Sequence, residues 1–202
     1  MIRILPAFAL LLFTACGLAD DERDEKNKYV YITFADPAFE AYCLGEFDLN
    51  RDGRISRYEA QRVLTMDCSR RDIGAMWEIG EFNRLQNLDC SGNALTQLDL
   101  HKCTQLRTLD CSDNRLASLD VDGLRGLTEM DCSANALARL DLKSCGSLLV
   151  LVCGGKRLVT LDLTPCAGTL YAVTHGNPPL TTVYCLVSQQ VNSDGQTKII
   201  RR

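Results

Sequence analysis

The sequence predicts a solenoid of stacked, short parallel β-strands. The first observation behind this is a repeat: LQNLDCSGNALTQLDL from Leu85, LRTLDCSDNRLASLDV from Leu106, LTEMDCSANALARLDL from Leu127 and LLVLVCGGKRLVTLDL from Leu148. The second is its constant step, since Cys90, Cys111, Cys132 and Cys153 stand 21 residues apart. The third is the order inside each unit, where apolar residues alternate over a strand-length stretch and recur at the following bend.

A period in the twenties with the form L-x-x-L-x-C-x-x-N-x-L is the signature of a leucine-rich repeat. One rung cannot bury its own apolar side, so coils of 21–22 residues stack and share a core. Side chains alternate along a strand, which turns Leu88 and Cys90 inward and Asp89 to solvent. Leu95, Leu98 and Leu100 close the coil, as do Leu116, Leu119 and Val121, then Leu137, Leu140 and Leu142. Asn93, Asn114 and Asn135 form a column at the bend leaving the strand, where an amide side chain can satisfy backbone groups.

The pattern extends both ways. Val63, Met66, Cys68, Ile73 and Met76 fit the Leu85 unit with a 22-residue shift, and residues 77–82 read as a helical insert. Leu170, Val173, Leu180 and Val183 fit the Leu148 unit, again shifted by 22, which puts His175 in the cysteine column. Pro178 and Pro179 should interrupt the ladder there. The tail, broken by Asn192-Ser193-Asp194-Gly195, reads as a hairpin over the open end. The expected organisation is a helical N-terminal cap over residues 29–66, leucine-rich repeats over 63–185 and a C-terminal β-hairpin cap over 186–202.

The chain begins with a basic residue, Arg3, an apolar run over 4–13, and then Thr14-Ala15-Cys16-Gly17. Residues 1–15 read as a signal peptide, too short for a spanning helix. Its end resembles a bacterial lipobox, which implies lipidation of Cys16; an ordinary cleaved signal is the alternative. Residues 16–28, with Asp20, Asp21, Glu22, Asp24 and Glu25, read as an acidic disordered tether. Acid behind a lipidated Cys also resembles the surface-export signal of some Gram-negative lipoproteins, although a plain linker carries the same charges. The expected location is the outer membrane or cell surface, with the membrane reached only through the lipid. Net charge is −4, and no basic patch suggests nucleic acid.

Residues 48–59, DLNRDGRISRYE, match the EF-hand loop. Asp48, Asn50 and Asp52 supply oxygens along its first half and Gly53 makes the sharp turn. The Arg54 carbonyl, Ser56 and Glu59 complete a set suited to Ca2+. A loop that keeps this shape without metal is the bland reading. Helices over 37–47 and 57–66 should flank it. Arg51, Arg54 and Arg57 offset the acids, and the hand has no second loop to pair with. Both features favour a structural ion, with a Kd of about 10⁻⁴ to 10⁻³ M, over a sensor.

FADPAFE from Phe34, this loop and Leu-Asp-Cys-Ser-x-Asn rungs occur in one chain. In that combination the sequence resembles bacterial surface leucine-rich-repeat lipoproteins related to the internalin-like group, over about residues 34–185. The resemblance implies a helical cap carrying the calcium loop, a β-rich solenoid and a binding role; it names no ligand.

Eleven cysteines in a secreted chain invite disulfides. The inward column Cys68, Cys90, Cys111, Cys132 and Cys153 reads instead as small buried hydrophobes. Its side chains run parallel, about 4.8 Å apart, and do not face one another. Cys103, Cys145 and Cys166 form a second column, in which Leu124 also fits, and Cys43 with Cys68 is a candidate bridge. The close Cys-x-x-Cys pairs of a zinc site are missing. Asp89, Asp110 and Asp131 form an outward column, and Asp99, Asp120, Asp141 and Asp162 another. Neighbours in such a column repel by roughly 1 kcal/mol even in water, so hydrogen-bonded ladders or a cation should compensate. His101 reads as solvated.

No nucleophile–base pair, phosphate loop or metalloprotease helix is visible, and an enzyme is not expected. The expected function is recognition of a protein or glycan by the strand face, which includes Asn87, Asp89, Ser91, Thr108, Asp110, Ser112, Glu129, Asp131 and Ser133. That face has few aromatic anchors. The alternative is a structural spacer or accessory subunit of a cell-envelope assembly.

Overall fold

The computed structural model describes residues 26–202 other than Lys156. The signal segment, Cys16 and most of the acidic tether lie outside the described residues. Residues 26–27, expected within the tether, are helical, and the Asn27 amide donates to Gln61 Oε1 at 3.0 Å.

Each rung of the solenoid contributes a short strand. They are β1 (Thr65–Asp67), β2 (Asn87–Asp89), β3 (Thr108–Asp110), β4 (Glu129–Asp131), β5 (Val150–Val152), β6 (Thr160–Asp162), β7 (Tyr171–Val173), β8 (Thr182–Cys185), β9 (Gln190–Asn192) and β10 (Lys198–Arg201). All neighbours pair in parallel. One sheet runs β1-β2-β3-β4-β5-β7-β9, and a second, on the returning side of the last coils, runs β6-β8-β10. Register is set by the central residue of each strand: Met66, Leu88, Leu109, Met130, Leu151 and Ala172 pair in sequence and are all buried.

The asparagine column does the backbone work that its position suggested. Asn114 Nδ2 donates to the carbonyls of Cys90 and Cys111 at 3.0 and 3.2 Å, while its Oδ1 accepts the Leu95 N–H at 3.0 Å. Asn93 and Asn135 repeat this. Asn177, which the sequence reading passed over, serves Cys153 and Thr174 in the same way.

The N-terminal cap starts with α1 (Pro37–Phe47), whose start is set by Asp36 before Pro37. Phe39, Phe47 and Phe82 pack with ring centroids about 6 Å apart, so α1 covers the open end of the first coil. The expected second helix over 57–66 is a single turn, α2 (Arg57–Ala60). Met66 belongs to β1, because burying it against Leu88 demands strand geometry. Residues 77–82 do form the expected insert, as a 3₁₀ helix over Trp77–Glu81.

The C-terminal end departs from expectation twice. Alignment by leucines placed His175 in the cysteine column, but β7 pairs Val152 with Val173, and Thr174 follows as the fully buried residue. His175 is exposed. The extra residue of the 22-residue step falls in the Pro178-Pro179 turn, outside any ladder, so the prolines do not interrupt pairing. The tail is not a hairpin either: β9 and β10 pair in parallel with β7 and β8, making one further, shorter coil.

All ten described cysteines are free and buried, and no Cys43–Cys68 bridge forms. Burial raises the thiols of Cys90, Cys111 and Cys132 well above the ordinary range and that of Cys153 to about 12. They are neutral packing groups at physiological pH.

Candidate binding face and calcium loop

Two columns of side chains project outward from the seven-stranded sheet. One reads Thr65, Asn87, Thr108, Glu129, Val150, Tyr171, Gln190; the other reads Asp67, Asp89, Asp110, Asp131, Val152, Val173, Asn192. Every predicted binding residue lies here, on β2 to β4 and the serines just beyond them. The structure adds Val150, Val152, Tyr171, Val173, Gln190 and Asn192 to this face, beyond the three rungs predicted from sequence. For Val150 and Val152 the signal was the loss of Asp and Ser from the fourth repeat.

The aspartates are compensated inside their own coils. Asp110 Oδ1 accepts the Ser112 N–H at 2.9 Å and its hydroxyl at 2.6 Å, and Asp67, Asp89 and Asp131 bond Ser69, Ser91 and Ser133 alike. Desolvation nonetheless raises the carboxyls of Asp89, Asp110 and Asp131, the serine bonds only partly offsetting it; other aspartates of the column add to the rise for each. Asp99, Asp120 and Asp141 lie at exposed turns and bond the backbone two residues on. His101 is exposed beside Asp99. Two open depressions, of about 290 and 360 Å³, also lie at turns and not on the strand face.

The loop over 48–59 is held by bonds from its own side chains to its backbone. Gly53 has a φ of +77°, and Asp48 accepts the N–H groups of Asp52 and Gly53 at 3.2 and 2.9 Å. Asn50 Oδ1 accepts the Asp52 N–H at 3.0 Å. Glu59 is buried. Its Oε2 takes the Ser56 N–H at 2.8 Å and the Ser56 hydroxyl at 2.7 Å, and its Oε1 takes the Leu49 N–H at 3.0 Å. Ser56 and Glu59 thus form a capping box on α2. Among the described residues no three His, Cys, Asp or Glu side chains stand grouped as a metal centre. The oxygen donors suit a hard cation by type, and Glu59 would have to trade its serine bonds for the ion.

Two features of the loop were not legible beforehand. The loop pairs with residues 30–32: Ile32 N–H donates to Ile55 C=O and Arg57 N–H to Val30 C=O, each at 2.8 Å. Arg57 also turns away from the acids to Glu81, at 2.7 Å, and Arg54 lies over the Tyr31 ring at 3.7 Å. The expected charge offset is therefore partly spent elsewhere.

A family model described as Leucine Rich repeats (2 copies) matches residues 83–126. With the stacked parallel rungs, that decides the fold. The chain is a leucine-rich-repeat solenoid. No curated protein matches it. Among solved structures, an internalin C2 from Listeria monocytogenes is 19% identical with a TM-score of 0.57, over 84% of this chain and 93% of that one. The internalin InlF from the same organism is 13% identical with a TM-score of 0.55, over 82% and 68%. The functional domain of InlJ, also from Listeria monocytogenes and described as including a cysteine ladder, is 20% identical with a TM-score of 0.49. The match covers 82% of this chain and 61% of that one, less than two thirds of its length. At these identities the likeness establishes the fold alone.

Proposed function

We propose that the solenoid is a lipid-anchored, extracytoplasmic binding module that recognises a protein on the outward face of its seven-stranded sheet. The observation that carries this is the face itself, seven rungs from β1 to β9 whose side chains align in two unbroken columns. An extended surface of this kind suits many weak contacts with a large ligand. Lipidation of Cys16 and surface display are proposed from the N-terminal sequence, and a structural calcium ion from the loop over 48–59; no catalysis is proposed.

Protease shaving of intact cells, followed by ligand capture with the full chain and with Asp110→Lys on its outward face, tests this reading. Shaving should release the solenoid, and the reversed charge should abolish capture of a ligand from outside the cell. Retention of only envelope subunits, unaffected by Asp110→Lys, would favour a structural spacer instead.

A further inference from the structure

The outward face carries an apolar band, β5 and β7, between the polar rungs β1 to β4 and the polar β9 rung of Gln190 and Asn192. Both columns turn from polar to apolar between β4 and β5, where Glu129 pairs with Val150 and Asp131 with Val152. The serine column ends at the same rung. Ser69, Ser91, Ser112 and Ser133 are followed by Gly154, where a Cβ would stand 2.4 Å from the His175 carbonyl oxygen. Close approach of the next coil excludes a side chain there, so the β5 rung cannot carry the serine that compensates an aspartate. Loss of that partner accounts for the missing Asp; it does not account for Val150, Val152, Tyr171 and Val173 all facing outward together, with Leu149 beside them 43% exposed.

We propose that this apolar half seats large apolar side chains of an extended protein segment whose Lys or Arg residues lie over the acidic half. The inference rests on the strand face being a protein-binding surface and supplies its partner's chemistry. No Lys or Arg occupies either outward column, so the carboxylates of Asp67, Asp89, Asp110, Glu129 and Asp131 meet no cation from their own strands. A basic partner relieves the mutual repulsion of a column spaced at about 4.8 Å, and the desolvation it brings strengthens each ion pair. The apolar half then supplies contact area that charge alone does not. The span from β1 to β7 is five rung steps, about 24 Å, matching about seven residues of extended chain. The chain's own acidic segment, with Asp20, Asp21, Glu22, Asp24 and Glu25, has the wrong sign for the acidic half, as does a second copy of the same face.

Panning a displayed random-peptide library against the full chain tests this without presuming a sequence. Enriched peptides should place Lys or Arg next to large apolar residues. Their affinity should fall at least tenfold, about 1.4 kcal/mol, with Asp89→Asn, Asp110→Asn and Asp131→Asn combined, and the salt dependence should weaken. Val152→Thr with Tyr171→Ser should cost a similar factor while leaving the salt dependence in place. Melting curves of both variants check that the fold is kept, and Val152→Thr alone serves if the pair melts early. Basic peptides that bind equally well to the apolar-half variant would overturn the proposal. Neutral or acidic peptides lost on either variant would also overturn it, while leaving the protein-binding reading intact. Enrichment indifferent to both variants would sink that reading as well.

Discussion

The Tyr31 hydroxyl donates to Asp52 Oδ2 at 3.1 Å, tying the segment that enters the cap to the middle of the loop over 48–59. Asn50 Nδ2 shares that oxygen at 3.0 Å. The bridge between Tyr31 and Ser56 braces the same loop through the backbone.

Calcium should therefore stabilise the cap. A ligand that binds only the folded form contributes RT ln(1 + [L]/Kd), roughly 1–2 kcal/mol at a few millimolar Ca2+ and a Kd near 10⁻⁴ to 10⁻³ M. Melting of the full chain should rise by a few degrees with Ca2+ and fall back with chelator. Asp48→Ala with Glu59→Ala should abolish the difference, and Mg2+ should replace Ca2+ poorly. Identical melting of wild type and double variant under both conditions would mean that the loop holds no ion.

Asp36 joins the cap to the first coil through four backbone N–H groups. Its Oδ1 takes those of Ala38 and Phe39 at 2.8 and 3.0 Å, and its Oδ2 those of Gly74 and Ala75 at 2.7 and 3.1 Å. Burial pushes its carboxyl up, but these bonds outweigh burial and hold it below the usual range. Its contribution is present above the unfolded carboxylate pKa and is lost as pH falls through the lower folded value. Asp36→Ala should cost about 1–3 kcal/mol by urea unfolding near pH 7, with the gap closing in acid. A flat pH response of that gap would remove the carboxylate from this role.

Cys111→Ser should destabilise by about 1–3 kcal/mol, since a hydroxyl replaces a fully buried thiol. Ser112→Ala, one position along on the outward face, should matter much less. Alkylating reagents should leave Cys90, Cys111 and Cys132 unmodified until the protein unfolds. Equal destabilisation by the two substitutions would reverse the assignment of inward and outward sides.

His175 closes the last coil by bonding Asp194 at 3.0 Å and Asn192 at 2.7 Å. The Asp194 bond raises the imidazole, and the His175 bond lowers the carboxyl. The histidine's contribution is full below its unfolded pKa and is lost as pH rises through the raised folded value. That of the aspartate is full above its unfolded pKa and is lost as pH falls through the lowered folded value. Amide protection of residues 190–201, corrected for the intrinsic pH dependence of exchange, should be greatest between these limits and should fall on the alkaline side in wild type, but not in His175→Gln. The same pH profile in both proteins would dissociate this coil's stability from the pair.

By itself the sequence determined the coil, its 21-residue step, the inward cysteine column and the asparagines at the bends. Each coil meets nearly the same surroundings as its neighbour, so the same residue answers the same requirement and the period is written in the chain. The sequence reading did not single out Asp36 as a cap, although an Asp before a Pro marks a helix start, and its second pair of bonds reaches residues 38 and 39 positions away. Tertiary structure alone decided what happens where the repeat stops. Residues 30–32 pairing with the loop, Thr174 in place of His175 in the buried column, and the tail closing as a parallel coil all depend on single contacts made once. Such contacts leave no period, and a leucine-by-leucine alignment cannot detect a one-residue slip that the Pro178-Pro179 turn absorbs outside the ladder.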